Sequence, residues 1–287
     1  MKCVRLLVAL GLGCGSDPDG STPMLDSSAL IASGPIAFDA LEGVERLEGC
    51  DMAFTSLTPT SPSTEAVAVL THGFNRDRST MQVLAEHLAS WGVASVTVDL
   101  CFASIFGVDH EQNGADLVAF AAARYPDRAV HWVGYSAGGL ASVLAADGSE
   151  ATASVLGLDL VDNADLALMV APELTVAFGA LIGQPSSCNA EGSGLAVPMA
   201  HGTSSILQLE GADHCTFEDP TDAVCTILCE PDPAPSAEDA DNRRRTARTL
   251  ATAWVLWQSG ASEDAAAWWD PTTEIHRSLP SPVVVVP

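Results

Sequence analysis

Along most of the chain the apolar residues follow two alternating rhythms. From residue 66 onward, short continuous apolar runs alternate with longer stretches in which apolar positions recur every third or fourth residue. The first pattern is that of buried strands, the second that of amphipathic helices. Strands are predicted over residues 66–71 (A-V-A-V-L-T), 93–99, 129–133, 155–160, 174–182 and 204–210. Helices are predicted over 79–91, opened by Ser79 as a cap, and over 113–124, 137–146, 220–228 and 240–258. Two weaker extended segments, 34–38 and 52–57, come before them. Strands that alternate with helices build an α/β domain, a mostly parallel central sheet with helices on both faces.

Composition narrows this picture. The chain has 287 residues, 47% of them hydrophobic, enough for one sizeable core, and a single domain is expected over 36–287. The formal charge is -25, from 37 acidic and 12 basic residues, and Lys2 is the single lysine. Such a surface repels phosphate backbones, so nucleic acid is excluded as a partner. Arg243, Arg244, Arg245 and Arg248 share a helix with Leu250, Trp254, Leu256 and Trp257, and read as a solvated face offsetting nearby carboxylates.

The amino terminus carries Lys2 and Arg5 before L-L-V-A-L-G-L-G and Cys14. That is the layout of a signal peptide over 1–14, of the lipoprotein type if Cys14 takes a lipid anchor. Residues 15–35, rich in Ser, Gly, Pro and Asp, read as a flexible leader. The apolar run is too short to span a bilayer. The expected location is therefore outside the cytoplasm of a bacterium, secreted or anchored at the outer membrane. Beyond Cys3 and Cys14, six cysteines remain: Cys50, Cys101, Cys188, Cys215, Cys225 and Cys229. An even set in an exported chain predicts up to three disulfides, with the pairing open. The Cys225-x3-Cys229 spacing lacks histidines placed for zinc, so no metal site is expected. No phosphate loop or dinucleotide fingerprint occurs, and no cofactor is expected.

The chemistry concentrates at V-G-Y-S-A-G-G, residues 133–139. Gly134 and Gly138 flank Ser136 where a predicted strand turns into a predicted helix, the G-x-S-x-G arrangement that exposes a serine hydroxyl. A serine is a poor nucleophile without a base, and His214 follows the strand at 204–210. A carboxylate must then hold the imidazole. Asp159, at the tip of the strand in G-L-D-L-V-D, is the first candidate; Asp162 and Glu191 are alternatives, with Asp165 further out. The order Ser, Asp, His is that of the α/β-hydrolase fold. The backbone N–H groups of Ala137 and of Phe74, in T-H-G-F-N, are the expected oxyanion donors. His72 is read as shaping that loop, and His87, His110, His131 and His201 have no comparable support.

T-H-G-F-N-R-D-R-S, L-A-E-H-L-A-S-W-G-V, G-Y-S-A-G-G and G-L-D-L-V-D resemble the chlorophyllase and cutinase-like branch of the α/β-hydrolases, over about residues 60 to 230. In the chlorophyllase pattern G-x-D-P-V-D the first aspartate is the acid, which implies Asp159, with Leu160 where proline is usual. The resemblance also aligns Cys188-Asn189 and the segment from His214 to Asp219. It departs at Tyr135-Ser136-Ala137, where chlorophyllases carry His-Ser-Arg or His-Ser-Met, and cutinase-like enzymes usually place the acid one strand later. Both comparisons imply ester hydrolysis by an acyl-enzyme route.

No long insertion is predicted; the longest candidate cap is residues 162–173. An open cleft admits bulky, lipidic or polymeric esters, with Phe74 or the Trp268-Trp269 pair offering apolar contact; Trp132, inside a strand, reads as core, and the Trp268-Trp269 pair reads equally as packing for the C-terminal tail. A monomer is expected. The competing expectation is a surface lipoprotein that keeps the fold as a binding module without catalysis.

Overall fold

The computed structural model describes residues 29–221, 223–229 and 234–286. The expected signal peptide, Cys14 and most of the expected leader lie outside the described residues. Strands β1 (Phe38–Leu47) and β2 (Cys50–Pro59) form an antiparallel hairpin. There follow β3 (Val67–Thr71), α1 (Gln82–Ser90), β4 (Ala94–Val98), and a small hairpin of β5 (Ala103–Ser104) and β6 (Gly107–Val108). Next come α2 (His110–Arg124), β7 (Val130–Tyr135), α3 (Ala137–Gly148), β8 (Thr152–Leu158), α4 (Leu166–Val170) and β9 (Ala177–Ile182). The chain continues through α5 (Ala196–His201), β10 (Ser205–Leu209), α6 (Ala223–Cys229), α7 (Ala237–Gln258), α8 (Glu274–Arg277) and β11 (Val283–Val285).

The main sheet runs β1-β2-β4-β3-β7-β8-β9-β10-β11. Every pair from β4 to β10 is parallel, and the outer pairs are antiparallel. The continuous apolar strands reflect burial on both faces. Val67 and Val69 of β3 enter one core with Trp132, Val155 and, from α2 and α3, Leu117, Phe120, Leu140 and Val143. Ala68 and Leu70 point the other way, to Val133, Leu156 and, from α1 and α7, Leu84, Leu88, Leu250 and Trp254. Full burial of each larger side chain contributes roughly 2 kcal/mol. β3 has β4 on one side and β7 on the other, so the chain changes its winding direction between β3 and β7. The crevice at the carboxyl ends of these two strands is where a sheet of this kind binds ligands. The architecture matches the α/β-hydrolase class of fold.

Some local structure departs from the sequence pattern. β1 is mostly exposed and so has no apolar run to mark it. The hairpin β5–β6 and the edge strand β11 are too short for a period to register. Residues 162–173 hold α4 and a 3-10 turn, but the longer insertion lies between β9 and β10, in 3-10 turns from Ser187 to Leu195 followed by α5. The end of the expected leader is packed: Leu30 is buried, Trp91 Nε1 and His87 Nε2 reach Ala32 O, and Gly34 N–H donates to Ser90 Oγ. Trp132, Trp268 and Trp269 are all core residues and cannot face a substrate.

Candidate active site

The serine turn is built by the absence of side chains around it. Ser136 follows β7 and caps α3 at φ 55, ψ -125, a backbone conformation costing about 1–3 kcal/mol outside glycine. A Cβ on Gly134 would stand 2.3 Å from Gly138 O, and one on Gly138 would stand 2.3 Å from His72 O. Both flanking glycines are therefore required by close backbone approach. Ser136 N–H donates to Leu158 O at 3.0 Å, tying the turn to β8.

From this turn the polar chain runs inward. His214 Nε2 lies 2.9 Å from Ser136 Oγ, and His214 Nδ1 lies 2.6 Å from Asp159 Oδ2. All three side chains are buried. The carboxylate can only accept, so Nδ1 carries the proton and Nε2 offers its lone pair to the serine hydroxyl. Asp159 sits just past β8 and is fixed from behind: Gly183 N–H donates to Oδ1 at 2.9 Å, and Asn189 Nδ2 stands 3.2 Å from Oδ2.

The other carboxylates are elsewhere. Asp162 Oδ1 accepts from the N–H groups of Asn163 and Ala167, and its Oδ2 accepts from Leu168 N–H, so it caps α4. Glu191 and Asp165 are solvent-exposed.

Ala137 opens α3 directly after Ser136, and Phe74 follows Gly73, which lies close against Ser136. Among the described residues, neither backbone N–H has a protein acceptor. The β3 loop reaches the serine because Gly73 has no Cβ; one would meet Tyr135 Cε1 at 2.9 Å and Ser136 Cβ at 3.1 Å. His72 fixes this loop from behind. Leu100 N–H donates to its Nε2 at 2.9 Å, so its Nδ1 carries the proton and donates to Gly73 O at 2.8 Å. Burial lowers its pKa, in keeping with a neutral structural imidazole. Two residues past Phe74, Arg76 Nε pairs with buried Glu218 Oε2 at 3.0 Å, joining the Phe74 loop to the His214 loop. Tyr135 packs its ring against His214 with centroids 4.9 Å apart. Burial, with the charges of Glu218 and Asp159, pushes its phenol well above the ordinary value, so it stays protonated.

Two features are not apparent from residue types and spacing. Asn189 binds Asp159, and its own Oδ1 accepts from Ser186 N–H at 2.8 Å and Gly192 N–H at 3.0 Å. Its sole sequence trace is its place beside Cys188. The disulfides are Cys50–Cys101, Cys188–Cys229 and Cys215–Cys225. Two of them bind the single helix α6, one to the loop of Asn189 and the other to the residue after His214. Cys215, Cys225 and Cys229 have metal-like spacing, but their sulfurs are already engaged in these bonds.

A buried Ser–His–Asp relay on an α/β-hydrolase fold defines the class: this is a serine hydrolase. No protein-family model matches the chain, and no curated protein matches it in sequence. The class therefore rests on fold and geometry, and neither comparison supplies a branch within it.

Proposed function

We propose that the protein is an exported carboxylester hydrolase that cleaves bulky, uncharged esters, polyesters and neutral lipids among them, by an acyl-enzyme route. The observation that carries this reading is the continuous chain from Ser136 Oγ through His214 to Asp159. Ser136 Oγ attacks the ester carbonyl carbon as His214 Nε2 takes its proton. The carbonyl π electrons move onto oxygen, and the oxyanion is received by the N–H groups of Phe74 and Ala137. Collapse breaks the bond to the alkoxy group, which leaves as the alcohol with the proton from Nε2. Water, deprotonated by the same nitrogen, then releases the acid and restores Ser136. Asp159 keeps the imidazole oriented and stabilises its cationic form. The chlorophyllase-like and cutinase-like resemblance supports ester over amide, as does the position of the acid after β8 for the former.

A fluorophosphonate should label Ser136, mapped by peptide mass spectrometry, and Ser136→Ala should remove both labelling and hydrolysis of a short activated ester. A folded wild-type protein that takes no label would leave a binding module instead. Export is supported by three disulfides, which persist in oxidising compartments. Anchoring at Cys14 predicts a mature chain beginning with a diacylglyceryl Cys14; a free amino terminus elsewhere would leave a secreted enzyme.

A further inference from the structure

The segment between β4 and α2 carries an element that the relay does not use. β5 and β6 pair Ala103 with Val108 and Ser104 with Gly107, leaving Ile105 and Phe106 as the turn. The root of this hairpin is fixed. Cys101 is bonded to Cys50, Asn113 Oδ1 accepts from Phe102 N–H at 3.0 Å, and Asn113 Nδ2 donates to Phe102 O at 2.9 Å. Its tip is largely uncovered: Phe106 is 93% exposed and Ile105 is 67% exposed. An aromatic side chain held in water on a rigid root forgoes the gain its burial would give.

The position of this tip is informative. Asn75 N–H donates to Ala103 O at 2.6 Å, so the hairpin is joined to the loop of Phe74, itself 42% exposed. On the histidine side α6 packs against the His214 turn and leaves Ile227 81% exposed. Exposed apolar side chains thus stand both on the hairpin joined to the loop of Phe74 and on the helix packed against the turn of His214. Residues 100–108, L-C-F-A-S-I-F-G-V, contain no charge in a chain of net charge -25. An anionic surface would be repelled by the molecule as a whole, and a neutral one would not. A side chain lining a pocket for one small ester would be largely covered by the walls of that pocket, and Phe106 is not.

We propose that Ile105 and Phe106 seat the enzyme on an assembled, uncharged ester phase, a neutral film or particle, and so hold its chains over Ser136. This rests on the ester hydrolase reading for the identity of the phase, while the seating itself requires no turnover. The test therefore uses Ser136→Ala protein, with and without Ile105→Ser and Phe106→Ser together, on a polycaprolactone film and on phosphatidylglycerol vesicles. Film adsorption should fall about tenfold or more in the hairpin variant, the loss expected from withdrawing one buried aromatic contact. Neither protein should bind the vesicles at low salt. Equal film adsorption by both proteins, or vesicle binding as strong as film binding, would overturn the proposal. So would a dimer that the hairpin substitutions dissociate, since the tip would then belong to a second copy. Phe106→Ala alone serves if the double variant does not fold. In the active enzyme the ratio of film to soluble-ester hydrolysis should drop by a similar factor, and an equal loss on both substrates would assign the hairpin to the site itself. Adsorption without labelling of Ser136 would separate failure of the catalytic reading from failure of this one.

Discussion

Asp159 and Asp162 stand three residues apart, yet their surroundings give them different work. Asp159 presents one oxygen to His214 and receives Gly183 N–H and Asn189 Nδ2, whereas both oxygens of Asp162 are taken by backbone N–H groups. Asp159→Asn keeps the volume but places an amide where Nδ1–H needs an acceptor. The corresponding change costs on the order of 10⁴ in a serine protease, so a loss of roughly 10²-fold or more in turnover is expected here. Asp162→Asn should leave turnover near wild type and lower stability by about 1 kcal/mol through the weakened cap. Asn189→Ala tests positioning: kcat should fall about tenfold with KM little changed, because a charge-assisted hydrogen bond to the acid is lost and no substrate contact is removed. Rates of the three variants on one soluble ester, with circular dichroism as a folding check, decide the matter; a folded Asp159→Asn enzyme of undiminished turnover would remove it from the relay. In the sequence Asp159, at the tip of its strand, ranks first, but Asp162 and Glu191 stay open beside it as carboxylates near strand ends. What separates them is which oxygens are already occupied, and that appears only when β9 and its following loop close against β8.

The strands and helices that carry the relay were legible because each is buried on a fixed periodicity, from A-V-A-V-L-T in β3 to the apolar run of β7. Beside the site the sequence predicts a helix over 220–228, where α6 lies, but nothing periodic marks a two-residue strand or a run of 3-10 turns. Their order comes instead from cross-links. Helix α6 is stapled to the loops of His214 and Asn189 by disulfides closing separations of 10 and 41 residues, and such closures contribute roughly 2–4 kcal/mol. Both bonds lie outside the strands of the sheet. Cys215→Ser with Cys225→Ser should therefore lower kcat about tenfold as the histidine turn loses its anchor, with the far-ultraviolet spectrum preserved and a modest loss of stability. Turnover equal to wild type in the fully reduced, folded protein would show that the Arg76–Glu218 pair and the packing of Tyr135 hold His214 without help.

At the scale of the whole molecule, two electrostatic effects oppose each other as pH falls. The acidic surface loses charge and self-repulsion, which favours the folded state. Two buried imidazoles act in the other direction. His87, between Thr252 Oγ1 and Ala32 O, and His131 of β7, against Ser154 Oγ of β8, have pKa values lowered to about 4 from 6.5, chiefly by burial. The unfolded chain takes up these protons first, so the stability that each neutral ring contributes is complete above about pH 6.5 and is lost as pH falls toward 4. The loss is on the order of 3 kcal/mol per ring. Salt separates the two effects, because it screens exposed carboxylates much more than buried rings. At high salt the surface contribution should largely vanish and stability measured by urea unfolding should fall from neutral pH toward pH 4. His131→Gln leaves a polar group facing Ser154 that cannot titrate, and should flatten the acid limb by about the share of one ring. A variant whose acid limb at high salt is as steep as that of the wild type would mean that His131 is not neutral in the folded protein.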